Sequence, residues 1–134
     1  MISATLRRTV LVAAIALALF AGGSSFVVAG EPKRLSGEEI AALVGDTTIS
    51  GTMLPDVPYK EYYGADGMIK GTTADGPYTG KWSVDGDTMC FDYGDPATVS
   101  CWAIAAENDM VQWIDKDGNV GGTGMVVKGN PDNL

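Results

Sequence analysis

The chain carries no histidine among its 134 residues, and its two cysteines, Cys90 and Cys101, stand eleven positions apart. That removes the Ser-His and Cys-His nucleophile pairs and every metal centre built on imidazole. A C-x-x-C redox motif is absent too, so the cysteines are expected to form a structural disulfide. Seventeen Asp and Glu residues remain, and a pair of them could in principle act as acid and base. Most of them fall in turn-forming dipeptides, where an aspartate caps its own backbone. The expectation is a protein that is not an enzyme and needs neither cofactor nor metal. Two further patterns imitate ligand loops and fail on continuation. Asp115-Lys116-Asp117-Gly118-Asn119 opens like a calcium loop, but Val120 occupies the position of the obligatory glycine and Val126 that of the bidentate glutamate. Gly121-Gly122-Thr123-Gly124 has no lysine behind it and no helix to receive a phosphate.

What remains is aromatic. Tyr78, Trp82 and Trp102 are candidate residues lining a cavity for an apolar or aromatic small molecule. Tyr59, Tyr62 and Tyr63 are a candidate interaction surface, because three tyrosines within five strand residues cannot all face one side.

Glycines and aspartates divide the chain that must position these side chains. Residues 1–29 have the layout of a cleavable signal peptide: Arg7 and Arg8, an apolar run from Val10 to Phe20, then small residues up to Ala29. The run is too short to span a bilayer as a helix, which takes about 20 residues. The mature chain, residues 30–134, reads as a single disulfide-bearing β-barrel-like domain, periplasmic or secreted, with no membrane span. Cleavage would move the formal net charge from −8 to −10, since the leader holds two arginines and no acid. A domain this acidic is repelled by nucleic acid and by anionic membranes. The remaining candidate partners are a small apolar or aromatic ligand or a periplasmic protein.

Ser36-Gly37-Glu38-Glu39 is a capping box that starts a two-turn helix with Ile40, Leu43 and Val44 on one face and Gly45 as a left-handed stop. Eight strands follow, near Thr47–Met53, Tyr59–Tyr63, Met68–Thr73, Tyr78–Val84, Asp87–Tyr93, Thr98–Ala105, Met110–Ile114 and Val120–Val127. The Asp-Gly pairs between them predict type I′ hairpins. Antiparallel pairing of Cys90 with Cys101 sets Phe91 against Ser100 and Tyr93 against Thr98, around a loop of Gly94 to Ala97. In that register Met89, Phe91, Tyr93, Trp102 and Ile104 face the core and the disulfide faces out. Tyr78, Gly80, Trp82 and Val84 point inward by the same alternation. The glycines near residue 121 leave a bend or room for bulky cross-strand neighbours. The fold class is mainly β: a small antiparallel eight-stranded meander or barrel with one short helix before it. Closure removes exposed strand edges.

The stretch Gly80-Lys-Trp-Ser-Val-Asp-Gly-Asp-Thr-Met-Cys90, followed by Cys101-Trp102 and Asp115-Lys-Asp-Gly-Asn-Val120, resembles small exported bacterial β-barrel proteins of lipocalin-like type whose function is uncharacterised. The lipocalins' long C-terminal helix has no counterpart in the pattern, and no functional residue is carried over. The tryptophans and the eight expected strands point to a non-enzymatic module that binds a small ligand. The alternative is a protein-interaction module, such as an inhibitor of a secreted hydrolase.

Overall fold

The computed structural model describes residues 31–134, so the leader expected over 1–29 lies outside the described residues. Nine strands and one α-helix follow one another: β1 (Lys33–Arg34), α1 (Gly37–Val44), β2 (Thr47–Met53), β3 (Val57–Tyr63), β4 (Met68–Thr73), β5 (Gly76–Asp85), β6 (Thr88–Asp92), β7 (Ser100–Glu107), β8 (Met110–Ile114) and β9 (Val120–Lys128). Each strand from β2 to β9 pairs antiparallel with its successor, and β9 pairs back onto β2. The result is a closed eight-stranded antiparallel barrel. All eight strands expected from the alternation are present, with ends shifted by two residues or fewer. The two-residue β1, which pairs with Ala105 and Ala106 of β7, carries no sequence signal.

Up-and-down pairing puts the two ends of the barrel in different hands. At one end lie the start of β2 and the β3–β4, β5–β6 and β7–β8 turns, and α1 closes it. Ile40 and Val44 of α1 are fully buried against Ile49, Ile69, Met89, Ile104 and Val111. Burying an aliphatic side chain of this kind contributes about 1.5–3 kcal/mol, more than an eight-residue helix could gain from its own hydrogen bonds. The capping box is formed: Glu39 N–H donates to Ser36 Oγ at 3.3 Å and Ser36 N–H to Glu39 Oε2 at 2.9 Å. A bond from Gly37 N–H to Asp87 Oδ1 at 2.8 Å ties the helix to the β5–β6 turn.

Three local expectations are corrected. The left-handed residue that ends α1 is Asp46 (φ 60°), while Gly45 keeps φ −58° and donates its N–H to Ala41 C=O. Aspartate tolerates that region, and Asp46 is fixed there by the Tyr62 hydroxyl, 2.8 Å from its carboxylate. The turns are not type I′, because only glycine among their Asp-Gly pairs takes positive φ. In the β5–β6 turn, where Asp85 pairs with Thr88, Gly86 is the first central residue with φ 57°, the position a type II′ turn reserves for glycine. Finally, the β6–β7 ladder stops at Phe91–Ser100, and Tyr93 does not pair with Thr98. Asp95 starts a 3-10 turn over Pro96–Thr98, accepting from Ala97 N–H at 2.9 Å, which withdraws that segment from the sheet.

Cys90 and Cys101 are bonded across the β6–β7 pair with Cα atoms 4.0 Å apart. They lie on the outer face, opposite Met89 and Phe91.

Candidate functional site

Among the described residues, no helix covers the barrel end away from α1. A cavity of about 250 Å³ enters the lumen there, walled by Tyr59, Tyr63, Phe91, Tyr93, Trp102 and Trp113, with Met53 and Ser100 at the rim and Glu61 in the wall. The volume is just under the about 300–1,000 Å³ usual for small-molecule sites, so an occupant has to be compact. Leu54, Val57 and Val120, exposed apolar residues, lie at this end of the barrel.

Strand β3 supplies the centre of the site. Period two sends Tyr59, Glu61 and Tyr63 inward and Lys60 and Tyr62 outward. Glu61 is only 5% exposed. Its Oε1 accepts from the hydroxyls of Tyr78 at 2.8 Å and Tyr93 at 2.6 Å, and its Oε2 accepts from the hydroxyl of Tyr63. Two glycines make this convergence possible. A Cβ on Gly71 would strike the Tyr78 ring, and one on Gly80 the Tyr93 ring. The released β6–β7 loop frees Tyr93 to stack on Phe91 (centroids 6.4 Å, planes 10° apart) and to meet Tyr78 edge-on at 5.9 Å. Tyr59 forms a second polar link: its hydroxyl accepts from Trp113 Nε1 at 2.7 Å and donates to Thr123 C=O at 3.1 Å.

Electrostatics keep these hydroxyls as donors. Burial pushes the Tyr63 hydroxyl well above its usual value, and the adjacent Glu61 charge pushes it further. Tyr78 and Tyr93 are raised for the same two reasons in the same order. Burial raises Tyr59 to about 12, against the lowering effect of the Trp113 bond. Three protonated tyrosines, Tyr59, Tyr63 and Tyr93, therefore line the cavity with Tyr78 behind them, and Glu61 has three O–H partners, the charge-assisted arrangement that satisfies a buried carboxylate.

The residues singled out in the sequence divide three ways. Trp102 lines the cavity, its ring lying where a Cβ on Gly121 would be, so that glycine gives room to a bulky neighbour as expected. Tyr78 acts behind the wall, through Glu61. Trp82 is not at the cavity: its Nε1 donates to Gly64 C=O at 2.9 Å in the β3–β4 turn, which draws the ring to the plugged end. Tyr59, Tyr62 and Tyr63 do not form one surface. Tyr59 and Tyr63 are lumenal, and Tyr62 alone points outward, half-buried. Asp115 is occupied within its own turn, accepting from the N–H groups of Asp117 at 2.9 Å and Asn119 at 2.8 Å. Those backbone bonds hold its carboxyl below the ordinary range.

Glu61 and Trp113 were not among the sequence candidates. The signal for Glu61 is the alternation itself: Lys60 and Glu61 are neighbours, so one of the two charges has to face in. The acid shares a parity with Tyr59 and Tyr63, and the lysine shares one with Tyr62. No helix among the described residues is long and apolar enough to cross a membrane. The chain matches no protein-family model, no curated protein and no solved structure.

Proposed function

We propose that the protein is a non-enzymatic binding module that takes a compact ligand with aromatic or apolar surface into the open end of its barrel. The observation that carries this reading is the cavity of about 250 Å³ whose wall has six aromatic rings, at the end of the barrel that α1 leaves open. A small barrel with no such role fills its interior with side chains. The polar groups of the wall are tied to one another, Glu61 to three tyrosine hydroxyls and Tyr59 to Trp113, and none of them is an activated nucleophile, which supports binding over catalysis. The leader-like pattern of residues 1–29 and the Cys90–Cys101 disulfide support an exported site of action. Lipocalin-like kinship is proposed on the closed barrel and its one-ended cavity.

Native mass spectrometry of protein purified without denaturation, paired with tryptophan fluorescence, tests this. Trp102 and Trp113 sit in the wall, so an occupant changes their emission. A co-purifying mass, or a saturable change on titration with compact aromatic molecules that is lost in Trp102→Ala, is the expected result. A clean apo mass together with flat titrations would remove the proposal.

A further inference from the structure

We infer that the ligand is a compact organic cation, of the ammonium class, held between the Glu61 carboxylate and the aromatic faces of the lumen; this rests on the lumen being the binding site. Three independent features of the wall agree on the sign of the charge.

The first is an unbalanced buried acid. Glu61 is 5% exposed, and no lysine or arginine among the described residues is buried. The cation on the neighbouring residue, Lys60, points out of the barrel and pairs with Asp132 at 3.1 Å. Three tyrosine hydroxyls satisfy the carboxylate without neutralising it. Two of its roughly four acceptor positions lie on Oε2, and only Tyr63 uses that oxygen.

The second is the orientation of the donors. The hydroxyls of Tyr63 and Tyr93 point at Glu61, that of Tyr59 at Thr123 C=O, and the Trp113 indole N–H at Tyr59. Trp102 Nε1 is directed at Ser100 Oγ, 3.4 Å away. An anion entering this cavity would find the Ser100 hydroxyl as its main donor. A cation finds a carboxylate.

The third is the rings themselves. An aromatic face carries the negative end of the ring quadrupole, and cages of Trp, Tyr and Phe hold ammonium groups for that reason. The formal net charge of −8 gives the same preference at longer range by concentrating cations near the protein.

Choline and its neutral carbon isostere, 3,3-dimethyl-1-butanol, make the test, with the apolar aromatic indole as a third probe. Binding to the wild-type protein is followed by calorimetry. The expected result is choline bound more than about tenfold tighter than the isostere, since a desolvated cation–π contact alone supplies about that factor and the carboxylate adds to it, with the preference reduced in Glu61→Gln to what the rings supply; a preference unchanged in that variant removes Glu61 from the assignment. Should that variant not fold, the wild-type comparison decides alone. Equal affinity for choline and the isostere, or binding of indole only, overturns the charge assignment and leaves the lumen as the site. Binding of none of the three overturns both.

Discussion

Raising the pH should unfold this barrel in one cooperative step, and the tyrosines set where. Tyr59, Tyr63, Tyr78 and Tyr93 all have hydroxyls raised above the ordinary value of 10, chiefly by burial. A group whose native pKa lies above its unfolded one binds more protons when folded, so stability is intact below the unfolded value and falls as pH rises beyond it. Between pH of about 10 and the raised native values, each such group removes up to about 1.4 kcal/mol per pH unit. Tyr63, 1% exposed, counts in full. Counting the other three at half for their partial exposure to water gives a combined slope of about 3–4 kcal/mol per pH unit. A domain of this size has a stability on the order of 5–15 kcal/mol, and about 1.5–3 pH units above the onset exhaust the lower part of that range, up to about 10 kcal/mol, by about pH 11.5–13. The assay is a paired titration: tyrosinate absorbance for ionisation, and far-ultraviolet circular dichroism for the barrel. Absorbance should rise late and together with the loss of β signal. If four or more tyrosines ionise with a midpoint near 10 while the β spectrum persists, the hydroxyls are in contact with water and the Glu61 network described above is wrong.

Three further outcomes follow from the same contacts. Replacing both cysteines, Cys90→Ser with Cys101→Ser, should lower stability by about 2–3 kcal/mol through the lost loop constraint, read as a lower denaturant midpoint. Ligand affinity should not change, since the bridge is on the outer face. Ile40→Ala, at the fully buried plug, should cost about 2–5 kcal/mol by the same measurement, and a loss under 1 kcal/mol would mean that α1 does not seal the barrel. Tyr78→Phe removes one donor from Glu61 without touching the cavity wall. A bond to a charged group is worth about 1.5–3 kcal/mol, and an unchanged midpoint would show that Tyr78 does not support the carboxylate.

Strand positions were legible in the sequence because a half-buried antiparallel strand writes its two faces as alternate residues, and Asp-Gly pairs punctuate the result. Strand β5 shows this in full: its burial alternates at every residue from Gly76 to Asp85. The candidate site was less legible for a related reason. Alternation says which residues share a face but not how deep along the barrel each one lies. Trp82 and Trp102 are both inward, yet one ring is drawn to the β3–β4 turn at the plugged end and the other lies over Gly121 in the cavity wall, and only the direction of each ring separates them. In β3 the composition misleads further. The usual expectation places a carboxylate outside, and three nearby tyrosines then look like a surface. Tyr93 needed knowledge of a different kind: its reach to Glu61 depends on the 3-10 turn at Pro96–Thr98, where a regular hairpin would have kept it in the ladder.

The cost of the lumenal network bears on why it exists. Burying a carboxylate is expensive even with full hydrogen bonding, and well-packed apolar side chains of similar volume commonly serve stability as well or better. The plugged end of the barrel shows that alternative in the same molecule: Ile40, Val44, Ile49, Ile69, Met89, Ile104 and Val111 pack there with no buried charge among them. If stability alone governed the open end, leucine or isoleucine at position 61 and phenylalanine at 78 and 93 would continue that core and close the cavity. Instead, Gly71 and Gly80 cede space to two rings whose hydroxyls converge on a single acid. That arrangement holds the aromatic walls apart at fixed positions and retains a negative charge beside the space they enclose. On the proposed reading of a binding module, an interior built this way is preorganised for an occupant, whose binding then avoids the cost of ordering the wall.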